Sequence, residues 1–180
     1  MNQKFFRLYY IKNKGGWYNM KRKGLSCMLV VLFCFLLGTI TVNAADERLG
    51  TIVDGSLLTE ETEVVGFTTT AIARGTYLSS GEGRLSNKGS HIVNLFGSTT
   101  CNRTSDVVKV TLHLQRLVGN TWTTVYTLGP KTATNAVYVS NSKNYTITGG
   151  YYYRVKGSHS AKKGSTTEST ASYTDGLWIK

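Results

Sequence analysis

The chain has 180 residues and a formal charge of +11, yet seven of its 21 basic residues and none of its ten acids fall in the first 44 positions. The remaining 136 residues carry 14 bases against ten acids, a net +4. That is ordinary for a soluble protein and argues against nucleic acid as a partner. A body of this size suits one domain with a real core.

Lys21-Arg22-Lys23 form a basic patch, Leu25 to Leu37 an uncharged apolar run of 13 residues, and Val42-Asn43-Ala44 a small-residue motif ahead of Ala45. This order predicts a signal helix over 20–44, cleaved near Ala44-Ala45, and hence a secreted protein that leaves the membrane once the signal is removed. The alternative, retention as an anchor, needs a longer span than the 18 residues from Leu25 to Val42, which Gly38, Thr39 and Thr41 interrupt. Met20 is a better start than Met1, which makes 1–19 a mis-called upstream extension. Cys27 and Cys34 leave with the signal. Cys101 then stands alone, so no internal disulfide holds the domain.

Segment 45–63 carries six acids against Arg48 alone, and 64–180 carries 13 bases against four acids. The acidic segment reads as flexible; the alternative is that it lies across the basic face of the domain, with weak docking through Ile52, Leu57 and Leu58. From Val64 onward Thr, Ser, Gly, Tyr and Val dominate and no amphipathic helix pattern appears. Gly66 to Tyr77 is a weakly patterned strand region and Ser79 to Gly83 a turn. Arg84 to Ser86 is short and extended, Asn87-Lys88-Gly89 is a turn, and His91 to Phe96 is a strand.

Val107 to Val118 alternates most clearly, with Val108, Val110, Leu112 and Leu114 on one face. A hairpin at Gly119-Asn120 follows. A three-residue loop, Gly119 to Thr121, would pair Val118 with Trp122, Leu114 with Tyr126 and Leu112 with Leu128, collecting the large apolar groups on one face. Gly129-Pro130 ends that pair, and Ala136 to Val139 and Tyr145 to Thr148 flank a turn at Ser140 to Asn144. Gly149-Gly150 open the strand Tyr151 to Ala161. Lys162-Lys163-Gly164 turns the chain, and a last strand runs from Ser165 to about Lys180. The pattern predicts an all-β fold, one antiparallel β-sandwich of about seven to nine strands over 64–180.

Tyr151-Tyr152-Tyr153-Arg154-Val155, with the turn and Glu168-Ser169 after it, resembles the last two strands of a fibronectin type III or other immunoglobulin-like sandwich. Asp54 to Thr59, Gly75 to Gly81, Leu114-Gln115-Arg116-Leu117 with Trp122, and Gly150 to Ala161 together resemble an uncharacterised family of small secreted proteins of Gram-positive bacteria. That resemblance implies export and a β fold and brings no activity with it.

No catalytic constellation is legible. His91, His113 and His159 lie on different strands, and Cys101 lacks the glycine-rich framing of an exposed nucleophile, so it reads as a thiol packed beside a strand. No histidine or carboxylate spacing suits a metal, and no cofactor is implied. On the strand after Gly150, Tyr151, Tyr153 and Val155 share an inner face. Tyr152, Arg154 and Lys156, with His159, Lys162, Lys163 and Glu168, are expected to form an outer binding surface of interleaved aromatic and basic groups. His159 and Glu168 are expected to be cross-strand neighbours. These features point to a non-enzymatic protein that binds a cell-wall glycan or a surface protein. The alternative is a bacteriocin-like or toxin-like protein acting on neighbouring cells.

Overall fold

The computed structural model describes residues 47–68 and 75–180. The signal segment, its upstream extension and part of the Gly66–Tyr77 region lie outside the described residues. Nine strands follow in order: β1 (Ile52–Val53), β2 (Ser56–Thr59), β3 (Glu63–Phe67), β4 (Leu78–Asn87), β5 (Ile92–Val118), β6 (Thr121–Thr146), β7 (Tyr151–Lys163), β8 (Thr166–Tyr173) and β9 (Gly176–Ile179). Among the described residues there is no helix, and so none long and apolar enough to cross a membrane.

Several expected turns are strand instead. Ser79 to Gly83 lies inside β4 because Gly81 and Gly83 are not turn residues. They leave room for side chains from the opposite layer: a methyl group on Gly81 would overlap the His159 ring, and one on Gly83 would touch Ser172 and Val155. Gly129-Pro130 lies inside β6, at a bulge where these two residues oppose only Thr111. Strand β6 hydrogen-bonds along one edge only, so a residue without an N–H is tolerated there. Ser140 to Asn144 also continues β6, paired with Asn94 to Ser98, and its polarity reflects solvent exposure rather than a turn. Asn94 Nδ2 donates to Asn144 Oδ1 at 2.8 Å across that pair.

Strand β5 organises the fold. Strand β6 follows one of its edges from end to end, while β4 takes the first half of the other edge (Val93 to Cys101) and β7 the second half (Val107 to Arg116). Pairing with β6 lapses between Thr100 and Ser105. There the strand doubles back: Gly97 lies against the side chain of Leu112, and Thr99 Oγ1 donates to the Lys109 carbonyl at 3.0 Å. In a straight strand Gly97 and Leu112 would be roughly 50 Å apart. One continuous sheet thereby makes two facing layers. The first holds β3, β4, the start of β5 and the end of β6; the second holds the other halves with β7, β8, β9, β2 and β1.

The expectation of a wholly antiparallel sandwich is corrected at one place. Strand β2 runs parallel to β9, with Leu58 opposite Gly176 and Thr59 opposite Leu177, which makes the sheet mixed. The flexible reading of the acidic segment is corrected with it. Leu58 is buried, the Leu57 N–H donates to Asp175 Oδ1 at 2.8 Å, and Ser56 Oγ donates to the Thr174 carbonyl at 2.9 Å.

The main core fills the space between layers with Leu85, Val93, Leu95, Val108, Val110, Leu112, Leu114, Tyr153, Val155 and Leu177. Tyr153 and Val155 therefore face inward as their alternation predicts, and Tyr151 is half-buried beside them. The Tyr153 hydroxyl donates to the Thr148 carbonyl at 2.7 Å. Tyr153→Phe is expected to cost about 1 kcal/mol in urea unfolding, the usual worth of such a bond. An unchanged midpoint would show that the bond contributes nothing.

The β5–β6 hairpin departs from its expected register at the tip and meets it further along. The loop has two residues, with Val118 opposite Thr121 and Leu117 opposite Trp122. A bulge at Val125 absorbs the extra residue and restores Leu114 opposite Tyr126 and Leu112 opposite Leu128. The bulge also switches faces. Trp122 joins Leu117, Leu58 and Tyr152 in a second cluster on the far side of the sheet, so the apolar groups are not gathered on one face.

Candidate functional site

Alternation along β7 sends Tyr152, Arg154 and Lys156 to the side away from the main core, where the sequence places solvent. The second cluster covers that side instead. Tyr152 is 3% exposed and Arg154 2%, which corrects both as surface residues. Tyr152 packs on Trp178 of β9, ring centroids 4.9 Å apart.

Arg154 lies between two aromatic rings, its guanidinium carbon 4.6 Å from the Trp122 centroid and 4.9 Å from that of Tyr173. Its nitrogens are spent in the plane between them. Nε donates to Gln115 Oε1 at 2.9 Å, Nη1 to Ser56 Oγ at 2.9 Å and to the Asp54 carbonyl at 3.1 Å, and Nη2 to Asp54 Oδ2 at 2.9 Å. Burial pulls its pKa down and the Asp54 carboxylate pushes it back up, so the group keeps its charge. Asp54 reaches this position from the tight β1–β2 turn, where it adopts φ +48°. The Trp122 indole N–H also donates to that turn, to the Val53 carbonyl at 3.1 Å.

Above Arg154 opens a cleft of about 500 Å³ lined by Asp54, Gln115, Asn120, Thr121, Trp122, Lys156 and Tyr173. Its floor is rigid because Arg154 is fixed on every nitrogen. Tyr173 is 45% exposed and presents a ring at the rim. Lys156 extends over that ring, its ammonium 5.6 Å from the centroid. Arg48 donates to the Gly119 carbonyl at 2.7 Å and to Asn120 Oδ1 at 3.0 Å, which ties the hairpin tip to the chain ahead of β1. An aromatic rim, planar amides and a carboxylate around a fixed floor can stack on a ring and hydrogen-bond a polyol.

The seven residues expected to form one surface lie in several places. Only Lys156 lines the cleft directly, with Arg154 as its floor and Tyr152 packed beside it. His159 occupies an odd position of β7, like Tyr153 and Val155, and is buried between the layers at 1% exposure. Thr99 Oγ1 meets its Nδ1 and Ser172 Oγ its Nε2, each at 2.9 Å. Burial without a carboxylate partner pushes its pKa down to about 4.

Glu168 pairs with Ala161, not with His159, which pairs with Thr170. The Glu168 carboxylate accepts the backbone N–H groups of Thr76, Tyr77 and Leu78 at 2.9, 3.0 and 2.7 Å, and these bonds, led by Leu78, lower its pKa. Lys162 is exposed at the β7–β8 end, and Lys163 Nζ donates to Asp106 Oδ1 at 2.6 Å while the Gly164 N–H bonds Oδ2. That end is roughly 25 Å along the strand from Arg154.

Asp54, Gln115, Asn120 and Tyr173 were not legible as site residues. The one available signal was the opposition of an acidic segment to a basic body, which the exposed Asp54 and the buried Arg154 realise as a single ion pair. Cys101 is buried, and burial raises its thiol pKa. Among the described residues no three His, Cys, Asp or Glu side chains lie together as a metal site.

No curated protein and no solved structure matches the chain. Residues 44–176, which include every residue of the cleft, match a family described as a family of unknown function, DUF6147. The chain belongs to that family.

Proposed function

We propose that this is a secreted, non-enzymatic protein of a Gram-positive bacterium that binds a cell-surface glycan in the cleft over Arg154. The observation that carries the reading is the convergence of the half-exposed Tyr173 ring with Asp54, Gln115 and Asn120 over a floor held by four hydrogen bonds. Sugar rings stack on such faces, and planar amide and carboxylate groups bond their hydroxyls. Export rests on the basic patch, apolar run and small-residue motif over 20–44. An immunoglobulin-like relationship is supported by the Tyr153 hydroxyl bonded back to Thr148, a device that such sandwiches use where a tyrosine enters a late strand.

The test is retention of the purified protein on insoluble cell-wall polysaccharide. Wild type is expected to be retained, and Tyr173→Ala to weaken binding by about tenfold, some 1.4 kcal/mol, while Tyr173→Phe keeps it. Equal retention of wild type and Tyr173→Ala overturns the cleft as the site.

A further inference from the structure

The hydrogen-bond inventory of the cleft is unequal. Gln115 spends Oε1 on Arg154 Nε, and its amide nitrogen reaches Thr124 Oγ1 at 3.4 Å. Arg48 holds Asn120 by its Oδ1, which orients the amide and leaves both Nδ2 protons as donors at the rim. Asp54 spends Oδ2 on Arg154 and keeps Oδ1 as an acceptor. The groups free to meet a ligand are therefore mainly donors: the Asn120 amide and the Lys156 ammonium, with Asp54 Oδ1 as the counterpart for a hydroxyl.

Charge is unequal in the same direction. Arg154, Lys156 and Arg48, which is bonded to the rim, are cations, and Asp54 is the one carboxylate among the lining residues. The Asp54 charge is matched by Arg154 at 2.9 Å. Among the described residues Lys156 has no ion-pair partner, and its ammonium instead lies over the Tyr173 face. A cation held against an aromatic ring at the mouth of a cleft that also holds an oriented amide donor fits an anion carried on a ring-shaped polyol.

Resting on the binding reading above, we infer that the ligand is an acidic polyol polymer, a sugar or alditol chain bearing carboxylate or phosphate. Its anion lies at Lys156 Nζ. Its ring lies on Tyr173, and one of its hydroxyls donates to Asp54 Oδ1. Lys156 sets the preference for charge, and Tyr173 supplies affinity whatever the charge.

The experiment measures binding of the protein by affinity electrophoresis to three probes: polygalacturonate, a glycerol-phosphate polymer and neutral dextran. At low ionic strength at least one anionic probe is expected to bind about tenfold more tightly than dextran, and the preference is expected to shrink at high salt. Lys156→Gln should abolish most of that preference by weakening binding of the anionic probe more than that of dextran. Lys131→Gln, an exposed change on β6 outside the cleft, should alter neither. Which anionic probe binds distinguishes a carboxylate from a phosphate source.

Binding of dextran as tightly as both anions overturns the inference while the glycan reading stands. Equal losses in Lys156→Gln and Lys131→Gln assign the preference to bulk charge and overturn it as well. Binding of none of the three overturns both.

Discussion

Replacing Arg154 with alanine is expected to lower the unfolding free energy by roughly 3–4 kcal/mol, from the loss of its hydrogen bonds and of the plane that separates two aromatic rings. Removing the side chain takes a donor from Gln115 Oε1 and from Ser56 Oγ and empties the space between Trp122 and Tyr173. Arg154→Lys keeps the charge but supplies no planar fork, so about half of the loss should remain. Asp54→Asn should cost only about 1 kcal/mol, because the Asp54 side chain is 72% exposed and water replaces part of its interaction. Urea unfolding of the three variants checks the order. An Arg154→Ala variant within about 1 kcal/mol of wild type would return the side chain to solvent, where alternation alone had placed it.

The second large effect is acid sensitivity through His159. Its folded pKa of about 4 lies below the 6.5 of an unperturbed histidine, so the unfolded chain binds this proton first as pH falls. Its contribution is complete above pH 6.5, declines from there to pH 4, and is constant below. Integrated over that window the loss is about 3 kcal/mol.

The groups that face His159 are neutral: the Thr99 and Ser172 hydroxyls, the Ser98 carbonyl, and Gly81 and Gly157. No carboxylate partner is present among the described residues to restore the charged form. His113 adds a weaker change of the same sign, through burial and then the Lys156 charge. Asp106 and Glu168 have lowered pKa values, from backbone N–H bonds first, so their contributions are lost only below the ordinary carboxylate range. The two windows are therefore separable. His159→Gln should flatten stability between pH 6.5 and 4, and the His159 imidazole of wild type should remain neutral at pH 5 by NMR. A His159 that titrates near 6.5 in the folded protein contradicts its burial.

Strand content was legible where hydrophobic alternation is regular, in Val107 to Leu114 and in Tyr151 to Val155. The course of the sheet was not. Glycine and serine in β4 read as a turn because glycine usually marks one, whereas Gly81 and Gly83 admit His159, Ser172 and Val155 from the facing layer. The doubling of β5 and the long edge strand β6 leave no local pattern, since polar residues in an exposed edge strand look like loop. His159 was legible in principle, because its position shares parity with Tyr153 and Val155. Its polarity argued the other way, and hydroxyls from β5 and β8 satisfy that polarity.

The cleft was the least legible part, for a physical reason. Arg154 is buried by Asp54 and Ser56, about a hundred residues earlier in the chain, on a hairpin whose acidic composition reads as a solvated tail. Trp122 reaches the same side only because one bulged residue, Val125, reverses the face of β6. Neither event is written in any window of residues short enough to show periodicity.

The proposed glycan site is the cleft over Arg154 and not the basic turn Lys162-Lys163. The most direct test is an NMR titration of the protein with solubilised cell-wall polysaccharide. Shifts are expected at the Trp122 indole N–H, the Asn120 side-chain amide and Tyr173, with none at Lys162, Lys163 and Gly164. Shifts confined to the Lys162–Gly164 turn, with Trp122 and Asn120 unmoved, would contradict it.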